Sequence, residues 1–284
     1  MEGYRSFEIN DGSPFSLDNT LGCGQAPRWE KINGWWYGVV KENIIKTRQT
    51  ENKIYFSGCS EKYYREYFSL DYDLKKFYDS FRDDKFLNQA IEINRGLRIV
   101  GQDPWECLCF QMTINRKRIS PGMDCFSRIS QKLGEEIELD GRIYYTFPTA
   151  ETIIEEGLSK LKTCNLGYKA NNIYSAAKRV AEEPLWSKNI NSMNLEDALK
   201  CINSFSGIKP IVAEWILVFA FRHYELFPVD SHMRNRMVKK YFSDVHFPRN
   251  SKMIDKYIID YAKEHFREYS AYVLEYLFAS REIL

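Results

Sequence analysis

The chain has 284 residues, 28% of them charged and 15% aromatic, with a formal net charge of +1. That length allows two or three small domains with buried cores, and the near balance of charge excludes a global positive field, so any polyanion must be met by local basic surfaces. No apolar run is long enough to span a bilayer and no secretory h-region opens the chain, while seven scattered cysteines exclude a disulfide framework and point to a reduced, cytoplasmic protein.

Residues 1 to about 58 read as β. Arg28–Ile32, Trp35–Lys41, Ile44–Thr50 and Lys53–Ser57 are short runs separated by Asn33-Gly34, Glu42-Asn43 and Glu51-Asn52. This is hairpin punctuation and predicts a small antiparallel sheet. Glu61–Leu70, Leu74–Phe81 and Lys85–Asn94 are amphipathic and predict helices whose aromatic residues face a core. Asp103 and Pro104 fit the cap and first position of a helix from Trp105 to about Ile114, which places Cys107 and Cys109 in a core rather than on a metal. Asn115-Arg116-Lys117-Arg118 follows, a cationic run that complements a helix C-terminus. Asp140-Gly141 predicts a type I′ turn between Glu136–Leu139 and Arg142–Thr146. Thr149 caps a helix to about Lys162, Lys169–Glu182 is another ended by Pro184, and Ser251–Phe266 and Ser270–Leu284 supply the last two.

The most informative stretch runs from Leu195 to Lys240. A helix behind Asn194 is followed by a turn holding Gly207 and Pro210, then by the nearly all-apolar helix Ile211–Phe221, which predicts a buried centre. Pro228-Val229-Asp230 ends an extended link and opens a helix carrying His232, Arg234, Arg236, Lys239 and Lys240. A helix starting just after a glycine turn offers free N–H groups and a positive dipole end, a seat for a phosphate. Asp230 is an N-cap by its position. A carboxylate fixed in this way also suits stabilising a cationic sugar or orienting a water.

These residues carry a specific resemblance. Phe205-Ser206-Gly207-Ile208, Val212-Ala213-Glu214 and Phe227-Pro228-Val229-Asp230-Ser231-His232-Met233 resemble the helix–hairpin–helix and Gly/Pro…Asp element of base-excision DNA glycosylases. The chain is similar above all to the 8-oxoguanine branch. Leu21-Gly22-Cys23-Gly24-Gln25-Ala26-Pro27-Arg28-Trp29, Gly101-Gln102-Asp103-Pro104, Leu166-Gly167-Tyr168-Lys169-Ala170 and Tyr276-Leu277-Phe278 resemble that branch's landmarks in its order. The resemblance implies an α+β protein with an N-terminal antiparallel β domain over 1–100, then a mainly helical glycosylase domain in two lobes over 101–284, with the hairpin at 195–221. It implies a monomer that binds duplex DNA containing a modified base, through Tyr168, Lys169, Gly207, Lys209, His232 and Arg234, with the Asn115, Arg116 and Arg118 loop entering the duplex. It also implies a monovalent cation on the hairpin carbonyls of Asn203, Phe205 and Ile208. No cofactor is required, and no cysteine follows Cys201 to build the iron–sulfur loop of some relatives.

The departures from the family's pattern shape the expected chemistry. The catalytic lysine position, counted back from Asp230 without a gap, is Ile211, and isoleucine forms no Schiff base. Lys209 is the alternative nucleophile, though a phosphate contact suits it better. In the base pocket, Gly24 keeps its carbonyl and Phe278 its ring, but Trp215 and Phe219 stand where smaller residues are expected and Leu274 replaces the polar reader. A pocket that exchanges a polar reader for bulk should not prefer the same base. The expectation is hydrolytic excision promoted by Asp230 without lysine-dependent strand cleavage. The alternatives are a glycosylase for hypermodified phage bases acting in host defence, an inactive module that binds damaged DNA, and a bifunctional enzyme with a relocated lysine.

Overall fold

The computed structural model describes residues 3–9, 14–114, 119–281 and 283, with the backbone alone at 119–121. Strands β1 (Arg5–Glu8), β2 (Trp29–Ile32), β3 (Trp35–Val40), β4 (Asn43–Thr50) and β5 (Lys53–Ser57) form a five-stranded antiparallel sheet in the order β1-β5-β4-β3-β2. The predicted hairpin turn at Asn33 and Gly34 has φ of 50° and 80°. Those left-handed conformations match the strand twist. A second turn of the same kind, at Asp140 and Gly141 (φ 54° and 71°), joins β6 (Glu136–Leu139) to β7 (Arg142–Tyr145). Asp140 also accepts hydrogen bonds from Tyr37 and Lys46, so this hairpin docks on the sheet.

Helix α1 (Leu17–Gly22) lies within the β region, capped by Ser16. Then come α2 (Glu61–Tyr67), α3 (Leu74–Ser80), α4 (Lys85–Ile93), α5 (Pro104–Ile114) and α6 (Ile119–Leu133). After the second hairpin follow α7 (Ala150–Lys162), α8 (Lys169–Glu182), α9 (Trp186–Asn191), α10 (Leu195–Asn203), α11 (Pro210–Phe221), α12 (Ser231–Tyr241), α13 (Ser251–His265) and α14 (Ser270–Ala279). None of the described helices is long and apolar enough to cross a membrane. Asp103 caps α5 as predicted, accepting from the Trp105 and Glu106 N–H groups.

There are two cores. Ile45, Ile54 and Phe56 of the sheet pack with Leu17 of α1, Tyr64 and Phe68. The larger core gathers Ala213, Ile216 and Leu217 of α11, Cys107 and Leu108 of α5, and Tyr272, Val273 and Leu277 of α14. Leu74 and Phe77 of α3 and Leu87 and Ile91 of α4 also belong to this second core. The two cores part in sequence near residue 70, and the chain rejoins the first core at Val100.

One side chain connects the cores. The Gln25 carboxamide donates to the carbonyls of Thr20 (2.9 Å) and Arg98 (2.8 Å) and accepts from the Val100 N–H (2.9 Å). The neighbouring motif residues serve the same joint. Arg28 pairs with Glu106 of α5 at 3.1 Å and donates to the Tyr145 carbonyl of β7. Trp29 lies on Gly38, its partner across β2 and β3, where a Cβ would stand 2.2 Å from the indole. Replacing Gln25 by Leu removes the bonds it makes to the Arg98 carbonyl and the Val100 N–H and leaves the Thr20 carbonyl only the weak Cys23 thiol, and is expected to cost about 2–4 kcal/mol in guanidinium unfolding.

Candidate active site

The hairpin is built by close packing. Asn194 caps α10 by accepting from the Asp197 N–H at 3.0 Å. Phe205, 3% exposed, closes the turn against the edge of Trp186 and beneath the Arg179 guanidinium, which also donates to Ser204. Gly207 has φ +85°, and a Cβ there would come within 2.1 Å of the Asn172 amide of α8. Both facts require glycine. Pro210 then takes the first position of α11, and the N-cap residue, Lys209, makes no side-chain capping bond. The first N–H groups of a helix have no intrahelical partner, so the turn presents donors and a positive dipole end.

Asp230 is the N-cap of α12, as its position predicted. Its carboxylate accepts from the Met233 N–H at 2.7 Å, which fixes it half-buried at the helix start. His232 is exposed in the first turn. Ile211 stands in the first turn of α11, half-buried against the core. Ile211, Trp215 and Phe219 follow at intervals of four and so share one face of α11. The Trp215 and Phe219 rings are stacked at 5.4 Å and 8°.

The Gly24 loop meets α14. Cys23 donates through Sγ to Glu275 Oε1 at 3.3 Å, three residues before Phe278. Gly24 itself is exposed with φ +99°. Between α12 and α14 opens a cleft of about 250 Å³, lined by His232, Arg236, Lys239, Lys240 and Arg281 around the Phe278 ring, with no acidic side chain among the described residues that line it. The Arg281 guanidinium covers that ring at 4.3 Å. Burial and the Arg281 charge both lower the pKa of Arg236.

Several expected contacts lie elsewhere. Lys169 is 4% exposed and donates to the Thr113 carbonyl at 2.6 Å, satisfying the end of α5 rather than facing a duplex. Arg234 is held by both oxygens of Asp255, at 2.5 and 2.8 Å, so its charge is already balanced. Leu274, 1% exposed, is a core residue, and Phe219 is 6% exposed. Tyr168 and Lys209 are exposed. Asn115, Arg116 and Arg118 lie outside the described residues. At the hairpin, the Phe205 carbonyl accepts from the Ile208 N–H. Asn203 Oδ1 is buried with no partner among the described residues, an orphan oxygen that fits a nearby cation. Glu275 escaped the sequence reading, although a lone acid in the apolar run Ala271–Ala279 was a signal.

Hairpin, capped aspartate and docked sheet together define the helix–hairpin–helix DNA N-glycosylase class. Residues 8–108 match the family described as 8-oxoguanine DNA glycosylase, N-terminal domain. A probable N-glycosylase/DNA lyase of Methanothermobacter thermautotrophicus is 28% identical over 93% of this chain and 92% of its own. A DNA-3-methyladenine glycosylase of Bacillus subtilis is 29% identical over 60% of this chain and 56% of its own. The crystal structure of the Clostridium acetobutylicum 8-oxoguanine glycosylase/lyase superposes with a TM-score of 0.85 at 28% identity, covering 96% of this chain and 95% of that one. Residues 8–108 thus match the N-terminal domain of 8-oxoguanine DNA glycosylases, and over nearly its whole length the chain is similar to the glycosylases of that branch of the helix–hairpin–helix superfamily.

Burial pushes the Glu275 carboxyl up to about 7, against the Cys23 thiol and the Arg281 charge, which favour ionisation. A folded pKa above the unfolded one gives stability that is complete below about pH 4.5 and lost as pH rises through 7. The Glu275→Gln variant is therefore expected to remove ~3 kcal/mol of pH-dependent stability between pH 4.5 and 7.5, read by denaturant titration at each pH.

Proposed function

We propose that this protein flips a modified base out of duplex DNA and hydrolyses its N-glycosidic bond, without lysine-based strand cleavage. The observation that carries this reading is the pairing of an immobilised Asp230 carboxylate with a hydrocarbon, Ile211, at the usual amine position.

In this mechanism the N–H groups at Gly207 and the start of α11 hold a backbone phosphate, joined by Lys209 and His232. Tyr168, exposed at the start of α8, meets the duplex. A monovalent cation on the carbonyls of Asn203, Phe205 and Ile208 fits beside the orphan oxygen of Asn203 and would add positive charge at the phosphate seat. The flipped nucleotide enters between the Gly24 loop and Phe278. Asp230 stabilises the oxocarbenium-like sugar and orients a water toward C1′. The water oxygen bonds to C1′, the glycosidic pair leaves with the base nitrogen, and a water proton ends on the departing base. An abasic sugar and a free base remain. The chain itself is intact.

Trp215, half-buried on α11 where the resemblance expects a small residue, supports a base other than 8-oxoguanine. It also motivates a second reading, excision of a hypermodified base from phage DNA. Release of base from phage DNA but from no lesion duplex would favour it.

The wild type is expected to release base from a lesion duplex, with strand breaks seen only after hot alkali. Asp230→Asn should slow release by at least about 100-fold. Borohydride should trap no covalent adduct. An adduct that disappears in Lys209→Ala would overturn the hydrolytic reading, and equal base content after incubation with wild type and Asp230→Asn would leave only a binding module. Gly207→Ala is expected to weaken duplex binding about tenfold by anisotropy, because a left-handed turn must accept a side chain against Asn172.

A further inference from the structure

Helix α12 turns a polar stripe toward α14. His232, Asn235, Arg236, Lys239 and Lys240 recur at the spacing of one helix face, where an apolar stripe would ordinarily pack on a neighbour. Here they line one wall of the cleft of about 250 Å³, with Phe278 of α14 and Arg281 just beyond its end also facing it. Four permanent cations meet there. Among the described residues none of them forms an ion pair, in contrast to Arg234 of the same helix, which Asp255 holds.

Aromatic rings hold three of the cations instead. Arg281 lies over Phe278 at 4.3 Å and donates to the Phe278 carbonyl. Lys240 and Arg236 lie over Phe86 of α4 at 4.9 and 5.8 Å. A ring face attracts a cation without cancelling its charge. Arg236 donates through Nη2 to the Ser280 carbonyl at 3.1 Å, while its Nε is buried with no partner among the described residues. Glu275 feels the Arg281 charge, but it accepts from Cys23 and does not line the cleft. Like charges gathered around one recess repel each other, and an anion entering it is attracted by all of them.

We infer that this cleft receives an acidic substituent of the flipped base, so that the substrate is a modified base bearing a group such as a carboxylate. The inference rests on the glycosylase reading above, which places the base beside Phe278, and it names the substrate class of that site. A backbone phosphate needs no recess, because hairpin N–H groups and exposed cations meet it from the surface. A recess with an aromatic ring in its wall and cations around it suits a flat ring that carries an acid. Arg236 and Arg281 supply planar forks of N–H donors that match a carboxylate, and Lys239 and Lys240 add point charges.

The test compares each acid with its amide on uncleavable duplexes bearing a 2′-fluorinated target nucleotide, so it does not depend on turnover. The pairs are 5-carboxycytosine with its 5-carboxamide, and N6-carboxymethyladenine with its carbamoylmethyl form. Within a pair the shape is nearly constant and the charge differs. At pH 7.5 and low salt the wild type is expected to bind the acid about tenfold more tightly than the amide in at least one pair, and added salt should shrink the ratio. Arg236→Gln and Arg281→Gln should each lower that ratio to about threefold, and the double variant to within about twofold. Arg281→Lys, which keeps the charge, should retain most of it. Lys256→Gln, at an exposed position of α13 outside the cleft, should leave it unchanged. Thermal melting checks folding. If Arg236→Gln melts early for want of its bond to Ser280, the exposed Arg281 carries the test. Equal losses of affinity for acid, amide and abasic duplexes in the cleft variants would assign these cations to a backbone phosphate and overturn the proposal. Wild-type binding with acid and amide alike in both pairs would refute this proposal alone, whereas failure to bind any duplex would bring down the glycosylase reading with it.

Discussion

The Gln25 carboxamide is the constraint on which the rest of the molecule depends. Buried backbone groups must find partners, and this one side chain supplies them for the end of α1 and for the segment at 98–100. Two residues on, the Gln102 amide returns a bond to the Gln25 carbonyl, and the Gln102 N–H bonds the Phe219 carbonyl of α11. A continuous chain of hydrogen bonds thus runs from the sheet core into the central helix of the larger core. Gly24, next in sequence, inherits a fixed position from it.

Much of this was legible in the residues. Periodicity located most of the helices, and the turn pairs Asn33-Gly34 and Asp140-Gly141 gave the hairpins, because local chemistry decides both. Asp103, Thr149, Asn194 and Asp230 cap as read, since a cap involves only the next three residues. What was illegible depends on distant partners. Nothing local shows that Arg234 meets Asp255 or that Lys169 turns inward to Thr113. β1 has one buried residue and α1 spans six, too short for a period to emerge. No helix was read over α6, whose first residues include Pro121-Gly122. Nor does anything local show that α3 and α4, which follow the sheet in sequence, pack in the larger core with α11 and α14.

The site joins two opposite environments. On α12, Asp230 is held by a backbone N–H and keeps its carboxylate at the helix start. On α11, Ile211, Trp215 and Phe219 form an apolar stripe where the resemblance expects an amine and smaller side chains. An acid can steer water without ever bonding to the sugar. An amine at the other position would divert the same cationic sugar into a covalent intermediate. On the proposed reading the choice between the two chemistries turns on one side chain, while a phosphate seat made by backbone groups would be indifferent to it.

The Gly24–Trp29 segment carries much of the likeness to the 8-oxoguanine branch, yet its polar side chains face inward. Gln25 bonds backbone, Arg28 bonds Glu106 and a strand carbonyl, and the Trp29 indole donates to Tyr67. These are framework duties, the same for any lesion. Kinship traced through that segment reports a shared chassis. On the proposed reading the choice of base falls instead to α11 and α14, which that segment does not report.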